Sequence, residues 1–266
     1  MQTGAKGDYW QNYQFHGGDL NRDKGLFGQT FETLFALRNL ALAYFVVYSA
    51  ISIVDTWYED SWETLAAIAI VGAVFNFFFL CRLLGIPRER QGWRLFAGYA
   101  PWHVLLLYVA GFAGLHFLEW VFDPLIAQAE ENPLLLLGYL LCALLLILFP
   151  PVLCGTVLPA RLLRLQEAVF RGVRQSGYLL PRIIGVFLPI LIFEAALAAS
   201  VYLTGPETLP VTPSGHISSF SLVSLLLSNL IGLLAEAVFM VITANTYLKD
   251  LRERGELPAV DADVFS

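Results

Sequence analysis

Charged side chains are scarce in this sequence. Asp, Glu, Lys and Arg together make up 14% of the 266 residues, whereas apolar residues make up 57%. Soluble domains carry about 25% charged residues. The shortage of charge excludes an ordinary soluble domain, and it predicts a chain that is solvated by lipid.

The sequence also lacks the motifs of catalytic, metal and phosphate-loop sites. Its four histidines are scattered, and its three cysteines lie within apolar runs, where we expect small packing residues rather than a disulfide framework. No Gly-x-Ser-x-Gly, His-Glu-x-x-His or Cys-x-x-Cys pattern is found. We therefore expect no metal, no cofactor and no enzymatic activity.

Long apolar runs, in contrast, recur along the chain. About 20 helical residues cross a hydrocarbon core of about 30 Å, and six runs reach that length. The predicted spans are Leu34–Val54, Thr64–Leu84, Leu95–Leu118, Leu134–Leu158, Ile183–Leu203 and Phe220–Leu248. The sequence predicts an all-α polytopic membrane protein.

The basic residues are sorted between alternate loops. Of the 16, 14 lie before span 1, between spans 2 and 3, between spans 4 and 5, or after span 6, and the other two, Arg38 and Arg82, lie near the corresponding ends of spans 1 and 2. Basic residues collect on the cytoplasmic side of membranes, so this pattern predicts that both ends are cytoplasmic. We divide the chain into a cytoplasmic N-terminal segment (1–33), a six-helix membrane domain (34–248) and an acidic cytoplasmic tail (249–266).

The loop between spans 4 and 5 is amphipathic when it is drawn as a helix. Its leucines and valines share one side, and the opposite side carries Arg161, Arg164, Arg171 and Arg174. This pattern favours an interfacial helix whose arginines face anionic lipid headgroups, although a plain basic loop would satisfy topology equally. A similar apolar spacing precedes span 1, from Leu26 to Phe35. Membrane lipids are thus expected partners. With a net charge of −6, nucleic acid is not.

A few polar side chains fall inside the predicted spans. Glu194 lies 12 residues after Arg182, and Glu236 lies 13 residues before Lys249, so the two carboxyls share a depth of about 18 to 20 Å. Buried ionisable groups in membranes are candidates for function, and these two could share one proton. Asn76 and His103 add polarity to spans 2 and 3. The alternative for all four residues is a hydrogen bond between packed helices.

Two segments carry a family resemblance. They are Pro150-Pro151-Val152-Leu153 continuing through Leu158-Pro159-Ala160-Arg161 to Arg171, and Ile242-Thr243-Ala244-Asn245-Thr246-Tyr247 continuing to Arg252. In these segments the chain resembles the six-helix YciC-type inner-membrane proteins and the membrane domain attached to some glycerophosphodiester phosphodiesterases. The resemblance implies a module of the cell inner membrane without the phosphodiesterase activity, because no catalytic barrel sequence follows.

Two functions remain open at this point. The first is a non-enzymatic scaffold or accessory protein that contacts lipid or a partner membrane protein. The second is a small proton-coupled transporter that uses Glu194 and Glu236 as paired carboxylates. An intramembrane enzyme is the weakest alternative, because no nucleophile, metal or cofactor site accompanies the carboxyls.

Overall fold

The computed structural model describes residues 25–58, 62–109, 155–163, 169–204 and 219–255, and within these ranges every regular element is helical. The longer helices are α1 (Leu26–Ala36), α2 (Arg38–Tyr58), α3 (Trp62–Leu83), α4 (Trp93–His103), α7 (Ser176–Thr204) and α8 (Ser219–Glu253). The short helices are α5 (Val157–Leu163) and α6 (Val169–Arg174), and a π-helical segment, Val104–Val109, continues α4. The all-helical prediction is confirmed for these residues.

Within the described residues, three stretches of helix are long enough and apolar enough to cross a membrane. They are Arg38–Asp55 in α2, Glu63–Leu83 in α3 and Leu222–Glu253 in α8. A fourth apolar stretch, Ser176–Ile190, belongs to α7. Predicted span 4 lies almost entirely outside the described residues.

Two helix boundaries differ from the predicted ones. Span 1 was expected to begin at Leu34, but Leu37 leaves the helical conformation (φ −108°, ψ 21°) and separates α1 from α2. Span 5 was expected to begin at Ile183, but α7 already begins at Ser176. Part of the predicted basic loop is therefore the first two turns of a long helix, where the Arg182 guanidinium donates a hydrogen bond to the carbonyl of Tyr178.

α1 is the helix that the apolar spacing before span 1 predicts. Phe27, Phe31 and Phe35 lie on one face and are 57%, 56% and 70% exposed. Thr30 and Thr33 are buried on the other side, and their hydroxyls bond back to carbonyls one turn earlier. The phenylalanine face of α1 thus points away from the protein.

α8 lies at the centre of the described helices. It contacts α1, α2, α3, α5, α6 and α7. Its buried residues run almost without a break from Leu233 to Leu251, and they form the core together with α3 residues such as Phe75, Phe79 and Leu80. A continuous apolar surface on all sides is expected of a helix that has neighbours all round.

α3 ends at a glycine turn. Gly85 has a φ of +66°, and the amide of Ile86 bonds to the carbonyl of Cys81. This is the closing bond of a Schellman motif, which favours glycine at the left-handed position. The turn leads into the exposed basic segment Arg88–Arg90, a single turn of 3₁₀ helix.

Candidate functional site

Glu236 joins three helices through its carboxyl group. The Tyr44 hydroxyl on α2 donates to Oε2 at 2.7 Å, and the Asn76 amide on α3 donates to Oε1 at 2.5 Å. Tyr44 and Asn76 are both buried, and the Tyr44 ring stacks on Phe75 with ring centroids 4.5 Å apart. We refer to Glu236, Tyr44 and Asn76 as the Glu236 cluster.

The donors in this cluster are uncharged. A phenol and a carboxamide can satisfy a carboxyl oxygen whether or not the carboxyl is ionised, because each donates its own hydrogen. Asn76 keeps a second polar atom there: its Oδ1 is buried and has no hydrogen-bond partner among the described residues. Both oxygens of the Glu236 carboxyl group therefore accept hydrogen bonds, whereas the amide oxygen of Asn76 beside them accepts none from the described residues.

A weaker polar contact lies farther along the same pair of helices. Asn229 Nδ2 on α8 donates to Ser49 Oγ on α2 at 3.3 Å. Moving from Tyr44 to Ser49 along α2 corresponds to moving backwards from Glu236 to Asn229 along α8. The two helices are therefore antiparallel.

Of the four intramembrane candidates, the structure brings Asn76 and Glu236 together. His103 lies on α4, fully buried, with its Nδ1 3.2 Å from the Tyr99 hydroxyl one turn earlier. Glu194 is part of α7, but its side chain lies outside the described atoms, so its pairing with Glu236 stays a prediction. Tyr44 was not among the sequence candidates, since a tyrosine inside an apolar run carries no sign of its distant partner.

Asp250 is the centre of a second polar cluster, near the C-terminal end of α8. Its carboxylate accepts a hydrogen bond from Arg171 at 2.9 Å and from Arg174 at 3.3 Å, and Arg254 lies 3.7 Å away. Arg171 and Asp250 are buried, with side chains 3% and 4% exposed, whereas the Arg174 side chain is 37% exposed. These four residues form the Asp250 cluster, in which three cations surround one anion.

The arginines that we expected to face lipid headgroups lie in different surroundings. Arg161 is exposed and its guanidinium lies over the Trp102 ring, 4.4 Å from the centroid, and Arg164 lies outside the described residues. For Arg171 the headgroup expectation needs correcting, because its guanidinium is turned inward onto Asp250 and the Tyr247 ring. The apolar side of α5 is likewise buried, with Leu162 and Leu163 in the core.

A cavity of about 420 Å³ opens next to the Asp250 cluster, between α7 and α8. It is lined by Arg174, Gln175, Gly177, Tyr178, Arg182, Lys249 and Glu253, and we call it the α7–α8 pocket. Lys249 Nζ donates to Gln175 Oε1 at 3.0 Å and lies 3.3 Å from Glu253. The lining is basic and holds one aromatic ring, that of Tyr178.

α7 and α8 also run antiparallel. Gln175 near the start of α7 bonds to Glu253 at the end of α8, and farther along, the Phe187 ring meets the Phe239 ring with centroids 6.3 Å apart. The N-terminal ends of α2 and α7 therefore lie level with the C-terminal end of α8, which gathers Arg38, Arg182 and Lys249 at one end of the helices.

Comparison with known proteins adds no identity. No family model, no curated protein and no solved structure matches the chain.

Proposed function

We propose that the chain is a non-enzymatic integral protein of the cell inner membrane, with six spans and both ends in the cytoplasm, and that it works as a scaffold or accessory component. Its contacts are membrane lipid and a partner membrane protein. The three apolar helices and the single-ended gathering of basic residues support the membrane arrangement. The antiparallel course of α2 and α8 supports an even number of spans, because a first and a last span cross in opposite directions only then.

The observation that carries the scaffold role is the Glu236 cluster. Both carboxyl oxygens accept hydrogen bonds from neighbouring helices, so the group links α8 to α2 and α3. Interhelical hydrogen bonds in membranes stabilise the packed state by about 0.6 to 2 kcal/mol each. A carboxyl held in this way contributes to helix packing without any transported ion.

The alternative function is proton-coupled transport, and one observation favours it. The vacant Oδ1 of Asn76 lies on the same amide that bonds Glu236. An acceptor beside a carboxyl group is the arrangement that could hold a proton carrier such as a water molecule. In this case Glu236 would release and take up protons during a transport cycle.

The experiment that separates the two functions compares the parent with Glu236→Gln and Glu194→Gln in detergent. Proton uptake or release and thermal stability are followed from about pH 5 to about pH 9, a range that contains the physiological window. The scaffold role predicts unchanged proton exchange, with a loss of stability confined to the Glu236 variant. Loss of proton exchange in a folded variant would replace the scaffold role by the transporter.

The arrangement across the membrane has its own test. Two variants are made, Arg88→Cys and Glu59→Cys, each with a single cysteine. In both, Cys81, Cys142 and Cys154 are replaced by alanine. We expect a membrane-impermeant maleimide to label position 59 in intact spheroplasts and position 88 only after the membrane is opened. Labelling of both positions in intact spheroplasts would contradict the proposed topology.

A further inference from the structure

We infer that the α7–α8 pocket binds the phosphate group of an anionic phospholipid, with the acyl chains lying along the exposed face of α7. The inference rests on the proposed function, which it narrows from general lipid contact to one defined site. The chemistry that the two possible sources share is an anionic phosphate group, and the lipid rather than a free phosphate ion is the expected source.

The charges around the pocket favour an anion. Within the pocket and the adjoining Asp250 cluster, five cations (Arg171, Arg174, Arg182, Lys249 and Arg254) face two anions (Asp250 and Glu253), which leaves a local charge of +3. The whole chain carries −6. An excess of positive charge in an acidic protein attracts phosphate to this end of α7 and α8.

The cations are held in position before a ligand arrives. The Arg182 guanidinium lies over the Tyr178 ring at 3.6 Å from its centroid and donates to the Tyr178 carbonyl, and Lys249 approaches the same ring at 5.1 Å. Gln175 holds Lys249 by a further hydrogen bond. Arg182 forms no ion pair with a carboxylate of the described residues, so its charge is available to a ligand. Side chains that are already ordered lose less entropy on binding.

The volume of the α7–α8 pocket is large enough for a lipid headgroup. Small-molecule pockets have volumes of about 300 to 1,000 Å³, and this one, at about 420 Å³, lies in that range. Arginine donates two parallel hydrogen bonds to phosphate oxygens, whereas lysine supplies a point charge. Arg182 and Lys249 therefore provide complementary contacts to one phosphate group.

The surface beside the pocket favours a lipid over a free ion. Continuing from Tyr178 and Arg182, the same face of α7 carries Gly185, Pro189 and Ile192 at helical spacing. All three are exposed, Ile192 by 62%. Because Gly185 has no side chain, the surface of α7 has a shallow depression at this position. The distance from Arg182 to Ile192 is about 15 Å, the half-thickness of a hydrocarbon core of about 30 Å, so an acyl chain fits along this face.

The test uses the full chain in detergent and measures retained lipid by native mass spectrometry, with phosphatidylglycerol, phosphatidylcholine and inorganic phosphate as separate probes. The double variant Arg182→Gln/Lys249→Gln removes two pocket cations. The matched control, Arg88→Gln/Arg90→Gln, removes two exposed cations outside the pocket. We expect the pocket variant to weaken phosphatidylglycerol binding about tenfold or more, and the control to leave it within about twofold.

Two further variants keep the test independent of folding. Arg182→Lys/Lys249→Arg retains both charges and is expected to retain binding. Glu253→Gln removes the anion of the pocket and is expected to tighten phosphatidylglycerol binding about two- to fivefold. A gain of affinity cannot result from a damaged fold.

Each probe gives a defined answer. Selective retention of phosphatidylglycerol supports the inference. Binding of inorganic phosphate with no preference for phosphatidylglycerol would overturn the lipid assignment, and equal loss of lipid in the pocket and control variants would overturn the site. Either failure, with proton exchange unchanged in Glu236→Gln, would leave the proposed function intact, whereas loss of proton exchange in a folded Glu236→Gln variant would overturn the proposed function itself.

Discussion

The two polar clusters of α8 satisfy their carboxyl groups in opposite ways. The Glu236 cluster, deep in the apolar part of the helix, uses a phenol and a carboxamide, whereas the Asp250 cluster, 14 residues later, uses three cations. About 21 Å of helix separates them. The comparison teaches that uncharged donors satisfy the carboxyl group within the apolar stretch of α8, whereas cations, two of them partly exposed, satisfy the carboxylate near its C-terminal end.

The largest effect is expected from removing the anion of the Asp250 cluster. Asp250→Ala leaves the buried Arg171 guanidinium without its carboxylate, and an uncompensated buried charge costs about 3 to 5 kcal/mol. Chemical denaturation in detergent micelles should show this as a lower midpoint. The matched control is Glu253→Ala, one turn later, whose contacts with Gln175 and Lys249 are at the surface, so the midpoint should fall far less than in Asp250→Ala. Equal midpoints for the parent and Asp250→Ala would show that the ion pairs do not stabilise the fold.

A smaller loss is expected from the Glu236 cluster. Glu236→Ala removes the acceptor of two hydrogen bonds, and we expect a loss of about 2 kcal/mol. Glu236→Gln keeps one acceptor oxygen and should lose less. A double-mutant cycle with Tyr44→Phe measures the coupling directly. If the losses simply add, the hydrogen bond from Tyr44 makes no contribution, and the contrast between the two clusters disappears.

The two clusters should also differ in how salt changes the stability of their variants. Arg174→Gln removes a half-exposed cation and should cost about 0.5 to 1 kcal/mol at low salt. The difference from the parent should shrink in about 1 M salt, where the screening length is about 3 Å. The cost of Tyr44→Phe should stay constant in the same titration, because that hydrogen bond contains no fixed pair of charges. Parallel salt responses of the two variants would refute the distinction.

The smallest effect is expected at the contact between Asn229 and Ser49. The donor and acceptor are 3.3 Å apart, near the long limit for a hydrogen bond, so Asn229→Ala should cost about 0.5 kcal/mol or less. Thermal unfolding beside Glu236→Ala provides the measurement. A loss equal to that of Glu236→Ala would mean that position along α8, rather than hydrogen-bond quality, determines the cost.

The sequence predicts the helices well and their partners poorly. Runs of apolar residues identify α2, α3 and α8, because apolar length is a local property that lipid imposes. The break at Leu37 and the early start of α7 at Ser176 escaped the prediction, since both depend on how the helices meet their neighbours. Six spans, the inner membrane and the resemblance to YciC-type proteins stay predictions.

In the candidate site, too, the sequence identifies some residues but not their partners. Glu236 and Asn76 stand out in the sequence because polar groups inside apolar runs are rare. Tyr44 and Asp250 do not, because a tyrosine is ordinary in a membrane helix and an acid among Lys249, Arg252 and Arg254 resembles a surface residue. The inward turn of Arg171 follows only from the position of Asp250, 79 residues away along the chain.

The order of α8 in the chain has a consequence for biogenesis. Tyr44 and Asn76 precede Glu236 by 192 and 160 residues, and every other described helix is synthesised before α8. During translation, α2 and α3 are therefore made before the carboxyl group that accepts hydrogen bonds from both of them. The Asn76 amide lacks its acceptor on Glu236 until the ribosome has synthesised α8. The Glu236 cluster can therefore form only after α8 has been synthesised, and a nascent chain truncated before α8 cannot form it.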